Sequence, residues 1–512
     1  MKKIKIFIFA TVIIASLGFS GCTNLNEVVY DKLPVDQFGF NSKEVNSLIA
    51  PIYRSLKDVW PAWDGFFYMG ECSADMAIAP TRKGGDWWNG GAHKELRLHT
   101  WTSNSYMVVN AYNRAFGGIT LCNKIFSMIN DNPSITNKEQ TLAEIRGVRA
   151  FWYYMLLDYY GNVPIVTDFK DKTLPQTKSR AEVYSFVLSE LNAIKDIVRI
   201  DVSSSSYGKM TKGVVNTLLA KMYLNAMVWN PAGGYKWQEC ISACNEVMGL
   251  NYLIEPNFKQ SFMVKNQDSR EIIFPIIFSR SDGGNNIIDQ TLHYLDPIAL
   301  GIKIGAWNGI CAMPDYVKDY DSADKRIGWS FLIGEMKNPV TGEVLITAHG
   351  RPLIHTVAVD MKYSIDADGW GQTEQEDGAR CFKWEIESGL NGNSENDFAI
   401  FRLADVYLMK AEALVRSIGE NVEATRLVNI IRQRAFDSPA KLKTSVSLND
   451  IYMERRFELA WEGYARQDMI RFGTFLSEIP GWKGISPEKC LLFPIPRTAL
   501  DANKNLTQNP GY

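Results

Sequence analysis

The sequence predicts a mainly α-helical protein: a tetratricopeptide-like helical-repeat scaffold packed against a loop-rich subdomain with a few short strands. Three observations carry this. Residues 211–229 place Val214/Val215, Leu218/Leu219, Met222/Tyr223 and Ala226/Met227 as doublets every four residues, the pattern of a helix with one broad buried face. Residues 403–435 repeat the plan, with Val406, Met409 and Ala413 on one helix, a break at Ser417 to Gly419, and Leu427, Ile431 and Ala435 on the next. Each pair spans roughly 34 residues, the tetratricopeptide length. Between them, residues 252–400 carry the turn clusters 281–286, 368–371 and 391–394 between short apolar runs such as Ile272 to Phe278.

The remaining elements follow from the same periodicity. Asn230-Pro231-Ala232-Gly233-Gly234 ends the first helix, and a second follows through Ile241, Cys244 and Val247. Ile145, Val148, Trp152 and Met155 mark a helix over 141–160. Further helices are predicted over 43–59, 104–130, 180–198 and 447–471. The run Phe151-Trp152-Tyr153-Tyr154 lies mid-helix, where consecutive side chains point in different directions; it reads as core. Long loops on a rigid scaffold are where binding usually resides, so the helices read as support and the middle as working surface.

Composition narrows the chemistry. The chain has 512 residues, 46% of them apolar and 22% charged, as in a globular protein. Lys+Arg 55 against Asp+Glu 57 gives a formal charge of -2, so no basic excess exists to engage nucleic acid. The sequence has no HExxH, zinc-spaced CxxC pair, phosphate-binding Gly-x4-Gly-Lys-Ser/Thr or Gly-x-Ser-x-Gly. Cys240 and Cys244 read as small apolar packing residues. No cofactor and no metal site is expected.

The N-terminus gives an address. Lys2, Lys3 and Lys5 precede an apolar run from Ile6 to Leu17, too short to span a membrane. Phe19-Ser20-Gly21-Cys22 follows and resembles a bacterial lipobox, with Phe19 in the place of the usual Leu; Cys22 is then the lipid-bearing residue. The alternative is an ordinary secretory signal. The other thiols, Cys72, Cys122, Cys240, Cys244, Cys311, Cys381 and Cys490, are an odd, scattered set that does not read as a disulfide framework.

Several segments, taken in order, resemble the SusD/RagB family. These are Leu157-Asp158-Tyr159-Tyr160-Gly161-Asn162-Val163-Pro164, the helix from Arg402 to Ala413, and Glu454-Arg455-Arg456-Phe457-Glu458-Leu459 with Glu462-Gly463 and Asp468 to Gly473. The endings Phe493-Pro494-Ile495-Pro496 and Gln508-Asn509-Pro510-Gly511-Tyr512 complete the set. The family's acidic run after the lipidated Cys is reduced here to Glu27. The resemblance implies a lipid-anchored, cell-surface outer-membrane protein. Such a protein captures oligosaccharides, or sometimes peptides, for a SusC-like TonB-dependent transporter, and is not an enzyme. It also implies four tetratricopeptide-like units against a loop-rich subdomain. The predicted organisation is a signal peptide over 1–21 and one domain over 22–512. Its scaffold covers about 40–250 and 397–475, its ligand-binding part about 60–103 and 251–396, and its tail 476–512.

The candidate site begins with the loop from Thr81 to Gly91, where four glycines surround Trp87 and Trp88. Indole can cover the apolar face of a sugar ring while Arg82, Asp86 and neighbouring Asn hydrogen-bond its hydroxyls. The alternative is that one Trp plugs the loop into the core. The resemblance also implies ligand contacts in a second loop, carried over to Trp307, Asn308 and Cys311, with Tyr294 upstream. Simple burial is the alternative for Cys311. Asp75 is placed at the same cleft. Arg380, entering a predicted strand, has a fork suited to vicinal hydroxyls or to a salt bridge. Glu454, Glu458 and Glu462, four apart, suggest a hydrolytic carboxylate pair. An ion-pair network with Arg455, Arg456 and Arg466 reads better. A glycoside hydrolase and a peptide-binding or helical-repeat interaction protein remain the alternatives to a glycan binder.

Overall fold

The computed structural model describes residues 41–58, 60–135, 137–362, 366 and 370–512. The expected signal peptide, Cys22 and part of the 368–371 turn lie outside the described residues. The helices that build the scaffold are α1 (Ser42–Arg54), α2 (Phe66–Ser73), α3 (Ala92–Leu98), α4 (Tyr106–Asp131), α5 (Lys138–Tyr159), α6 (Arg180–Ile194), α7 (Lys212–Leu224) and α8 (Trp237–Met248). The short α9 (Ile287–Thr291) lies in the middle segment, and α10 (Leu403–Ile418), α11 (Val422–Ala435), α12 (Leu448–Leu459) and α13 (Ala465–Phe472) complete the set. Side chains placed before the first turn satisfy its free N–H groups. Thr211 caps α7, and Ser179 with Glu182 and Ser447 with Asp450 form capping boxes on α6 and α12.

Consecutive helices pack in sequence from α4 to α8, and α8 packs directly on α10, which in turn packs on α11 and α12. The chain therefore leaves the helical stack after α8 and re-enters it at α10, with the loop-rich segment extruded between. The doublets of α7 mark burial on all sides, not one broad face: from Gly213 to Met222 every residue is buried. Phe151 to Tyr154 are buried as expected.

The loops contribute short strands: β1 (Ala77–Ile78) between α2 and α3, and β2 (Ile272–Ile276), β3 (Cys311–Ala312), β4 (Phe331–Leu332), β5 (Arg380–Cys381) and β6 (Phe398–Arg402) between α8 and α10. β2 and β6 pair antiparallel with Phe398 opposite Ile276 and Arg402 opposite Ile272, and β6 runs straight into α10. β1 pairs with β3, and β4 with β5. These pairs fasten the long loops to the helices.

The helix expected over 447–471 is broken. α12 stops at Leu459 and α13 begins at Ala465. Trp461 and Gly463 take positive φ, 67° and 83°. The Trp60 ring occupies the space a Cβ on Gly463 would need, 2.1 Å away, so only glycine lets the chain turn there. The three glutamates still converge, but their partners differ from the expected arginines. Glu454 pairs with Arg326 (2.8 Å) and Arg432 (2.6 Å), and Glu458 with Arg434 (2.6 Å), Arg402 and Arg326 (both 3.1 Å). Glu462 pairs with Lys383 (2.5 Å) and Arg402 (2.7 Å). Arg455 instead joins Asp405 to Asp468 (both 2.8 Å), Arg456 meets Asp75 and Asp319, and Arg466 meets Asp158. Arg326 comes from the middle segment and Arg402 from the end of β6, so the lattice pins that segment to the scaffold.

Burial raises the Glu458 carboxyl, but Arg434, Arg402 and Arg326 outweigh it and hold the group down to about 2. Asp405 and Glu412 are held down to about 2 in the same way, the first by Lys221 and Arg455, the second by Arg471 and Arg416. A carboxyl depressed on folding stabilises the native state above its unfolded value and loses that contribution as pH falls through the folded one. Stability measured by denaturant unfolding should therefore fall between about pH 4.5 and 2. Glu458→Gln should lower it at neutral pH by about 3–5 kcal/mol, because Arg434, Arg402 and Arg326 each lose a buried carboxylate partner at once. A loss under about 1 kcal/mol would show that the lattice does not hold the two parts together.

Candidate functional site

Arg82 organises the loop region. Its guanidinium is fully buried and donates to carbonyls of two other segments: Nε to Asn308 (2.9 Å), Nη2 to Gly309 (2.9 Å), and Nη1 to Asp377 (2.8 Å) and Glu374 (3.3 Å). Its own backbone N–H donates to the Asp86 carbonyl (2.8 Å), closing the glycine-rich turn. The turn is tied to the 370–373 segment by Thr373 N–H to the Thr81 carbonyl (2.9 Å), Lys83 N–H to the Thr373 carbonyl (2.7 Å) and Trp370 Nε1–H to Thr81 Oγ1 (3.1 Å). One side chain thus fixes three loops at their backbones. The expectation that Arg82 contacts ligand gives way: every direction of its fork is used internally. Burial lowers the guanidinium below its ordinary value, opposed by the nearby Cys311 thiol and Asp377.

The two tryptophans part company. Trp87 is 8% exposed. Its ring lies parallel to Tyr68 at 6.4 Å and beside His93 at 5.2 Å, and its Nε1–H donates to the Trp307 carbonyl (2.6 Å). A Cβ on Gly309 would stand 2.1 Å from this ring, so glycine there admits the indole. Trp87 also takes φ 62°, which costs a bulky residue about 1–3 kcal/mol and persists only where packing over-determines it. It is the plug of the loop, and its face is not open to a sugar. Trp88 is 42% exposed, with the Lys94 ammonium 5.9 Å from its ring centroid. It lines a cavity of about 340 Å³ with Thr81, Gly85, Trp370 and Gln372.

Tyr294 is exposed and its hydroxyl donates to the Asp86 carboxylate, while Asp86 Oδ1 accepts the Trp87 N–H (2.9 Å). Trp307 is half-buried, its N–H donating to the Asp289 carbonyl (2.7 Å). Asn89 is exposed and its amide lies 3.1 Å from His93 Nε2. The structure therefore ties Tyr294 to Asp86 and the Trp307 backbone to Trp87, so both loops meet the glycine-rich turn that carries Trp88.

Four other expected residues lie elsewhere. Asn308 is fully buried at φ 56°, a left-handed conformation that Asn tolerates, and its carbonyl serves Arg82. Cys311 is buried in β3 opposite Ile78, its sulfur packed on Gly378. Asp75 turns away to Arg456 (3.0 Å). Arg380 is fully buried, donating to the Gln375 carbonyl (2.8 Å) and to His355 Nδ1 (3.3 Å), and burial beside Arg82 lowers its guanidinium to about 9. Asn308, Cys311 and Arg380 are sealed from solvent, and Asp75, partly exposed, is committed to Arg456. The Glu454, Glu458 and Glu462 carboxylates are likewise buried and ion-paired, and form no hydrolytic pair.

The sequence reading missed Asp289. Asp289 sits on α9 as a half-buried carboxyl that burial pushes up to about 6. Among the described residues no group of three or more His, Cys, Asp or Glu is placed to hold a metal ion, and no helix is long and apolar enough to cross a membrane.

The chain and its fold are similar to known proteins. A family model described as the SusD family matches residues 358–484, and a second, described as starch-binding associating with outer membrane, matches residues 43–224. Both matches support a SusD/RagB family protein. It is 26% identical to the starch-binding protein SusD of Bacteroides thetaiotaomicron over 460 residues, covering 82% of this chain and 81% of that protein. A SusD superfamily protein from Parabacteroides distasonis superposes with a TM-score of 0.75 at 21% identity, covering 92% of this chain and all of the other. A laminarin binding SusD-like protein superposes with a TM-score of 0.73 at 20% identity and the same coverage.

The different work of the two indoles is measurable by denaturant unfolding. Trp87→Ala should cost about 3–5 kcal/mol, as for a core aromatic, and Trp88→Ala under about 1 kcal/mol. Equal losses would contradict the division into plug and platform.

Proposed function

We propose that this chain is a cell-surface glycan-binding protein, not an enzyme, that holds oligosaccharides on the rim formed by Trp88, Tyr294 and Trp307. The observation that carries this reading is that Trp88 and Tyr294 are exposed, and Trp307 half-buried, on loops whose backbones are hydrogen-bonded to one another. A sugar ring presents C–H groups on its face and hydroxyls on its edge. Aromatic faces cover the first, and Asp86 and Asn89 serve the second. The relative named as a starch-binding protein and the fold neighbour named as laminarin binding support the same ligand class. The platform is small and open, so affinity is modest; each stacking contact contributes about 0.5–1.5 kcal/mol beyond area burial.

In the same reading, Cys22 carries the lipid that anchors the protein to the outer membrane, and the helix pairs act as a tetratricopeptide-like scaffold. A SusC-like TonB-dependent transporter receives the glycan, and this association adds avidity to the weak platform. The description of the family model that matches residues 43–224 supports the outer-membrane placement.

Isothermal titration against a panel of oligosaccharides tests the binding. Trp88→Ala and Tyr294→Ala should each weaken it by about three- to tenfold, with the unfolding midpoint kept. Heat from no glycan in the panel, or unchanged affinity in both variants, contradicts the proposal.

A further inference from the structure

A second concavity is linked to the loops of the rim through His93 and Gln290. It has a volume of about 580 Å³ and is lined by Arg54, Lys57, Trp63, Asp64, Arg114 and Asn286, among others. Trp63 is half-buried and stacks on Tyr106 with centroids 5.7 Å apart and planes at 21°. The Tyr106 hydroxyl donates to Asp64 (3.2 Å), and Asp64 is gripped by both Arg114 nitrogens (2.6 and 2.9 Å) and by Asn110 (3.0 Å). The Trp63 ring is thus braced by a partner that is itself hydrogen-bonded in place. Such bracing lowers the entropy lost when a ligand settles on it.

Two connections join this cavity to the rim. On one side Trp63 lies 6.3 Å from the His93 ring, the same ring that the Asn89 amide touches and Trp87 packs against. On the other, Asn286 Oδ1 accepts from Gln290 Nε2 (2.7 Å), which also reaches the Pro61 carbonyl (3.2 Å), while the Gln290 carbonyl accepts the Gly309 N–H (2.9 Å). The loop that carries Trp307 and the wall that carries Trp63 are therefore fixed to the same short helix, α9.

We infer that the Trp63 cavity is a second saccharide subsite, occupied by further units of the chain whose first units lie on Trp88, Tyr294 and Trp307. The inference rests on the glycan-binding reading above. The lining favours a neutral, hydroxyl-rich ligand. It offers an indole wall together with both charge signs, and its carboxylates are already matched: Asp282 by Lys57 (2.7 Å) and Arg54 (2.8 Å), Asp64 by Arg114. An apolar ligand would desolvate these groups without compensation, whereas hydroxyls both donate to and accept from them.

Chain length separates this idea from the one it builds on. Malto-, laminari- and xylo-oligosaccharides from dimer to heptamer are titrated into the full chain and into Trp63→Ala. Affinity should rise with length in the ladder that binds, and Trp63→Ala should lose about three- to tenfold for the heptamer while keeping the affinity of the shortest chain that binds. The retained short-chain affinity shows that the variant is folded, and Trp63→Phe should restore part of the long-chain gain. Affinity independent of length, or an equal loss at every length, overturns the second subsite and leaves the rim standing. No binding in any ladder by the unsubstituted protein overturns the rim and the second subsite together.

Discussion

A guanidinium buried without a carboxylate bonded to it is the constraint on which the binding loops depend. Arg82 finds its partners in backbone carbonyls of residues 308, 309, 374 and 377, so the loops must stay where they are to keep it satisfied. Leaving a buried charged donor unmatched costs more than a neutral hydrogen bond gains, which makes the arrangement close to all-or-none. Trp87 acts in concert, seated on Gly309 and bonded to the Trp307 carbonyl. Loops otherwise free to wander become a rigid mount, and the exposed rings on them are presented at little further entropic cost.

The scaffold uses the same device on a larger scale. Glu454, Glu458 and Glu462 are shared among Arg326, Arg402, Arg432, Arg434 and Lys383, which come from the middle segment, β6 and α11. Replacing such a lattice by apolar residues need not destabilise a protein, but removing one member leaves several buried charges short of a partner. The extruded loops are thereby held to the helices by groups that tolerate few alternative placements. Both halves of the molecule obtain register from buried cations with fixed partners, and the surface carries the variable chemistry.

How much of this was legible in the sequence follows from which signals are local. Helix periodicity located α4 to α8 and α10 to α12 because the apolar pattern belongs to each helix alone. It could not show that α7 is buried all round, since that depends on what α5, α6 and α8 place against its other faces. The break at Ala460 to Tyr464 was missed because it depends on Trp60, far away in the chain, filling the space beside Gly463. The glycine-rich loop was rightly read as a place where indoles matter, but adjacent Trp87 and Trp88 look alike until Gly309 is brought beneath one of them. Arg82 reads as a solvent-facing donor, and only the fold shows that its neighbours are carbonyls. Trp63, Tyr106 and Asp289 carry no motif, and their meeting is a product of tertiary structure.

Hydrogen–deuterium exchange on the protein with and without a saturating oligosaccharide tests the central claim most directly. If locked loops present one aromatic rim, amides in 84–90 and in 294–307 should slow together on binding. Unchanged exchange in both segments, with slowing instead at the helix turn 420–445, would place the ligand elsewhere and contradict the account.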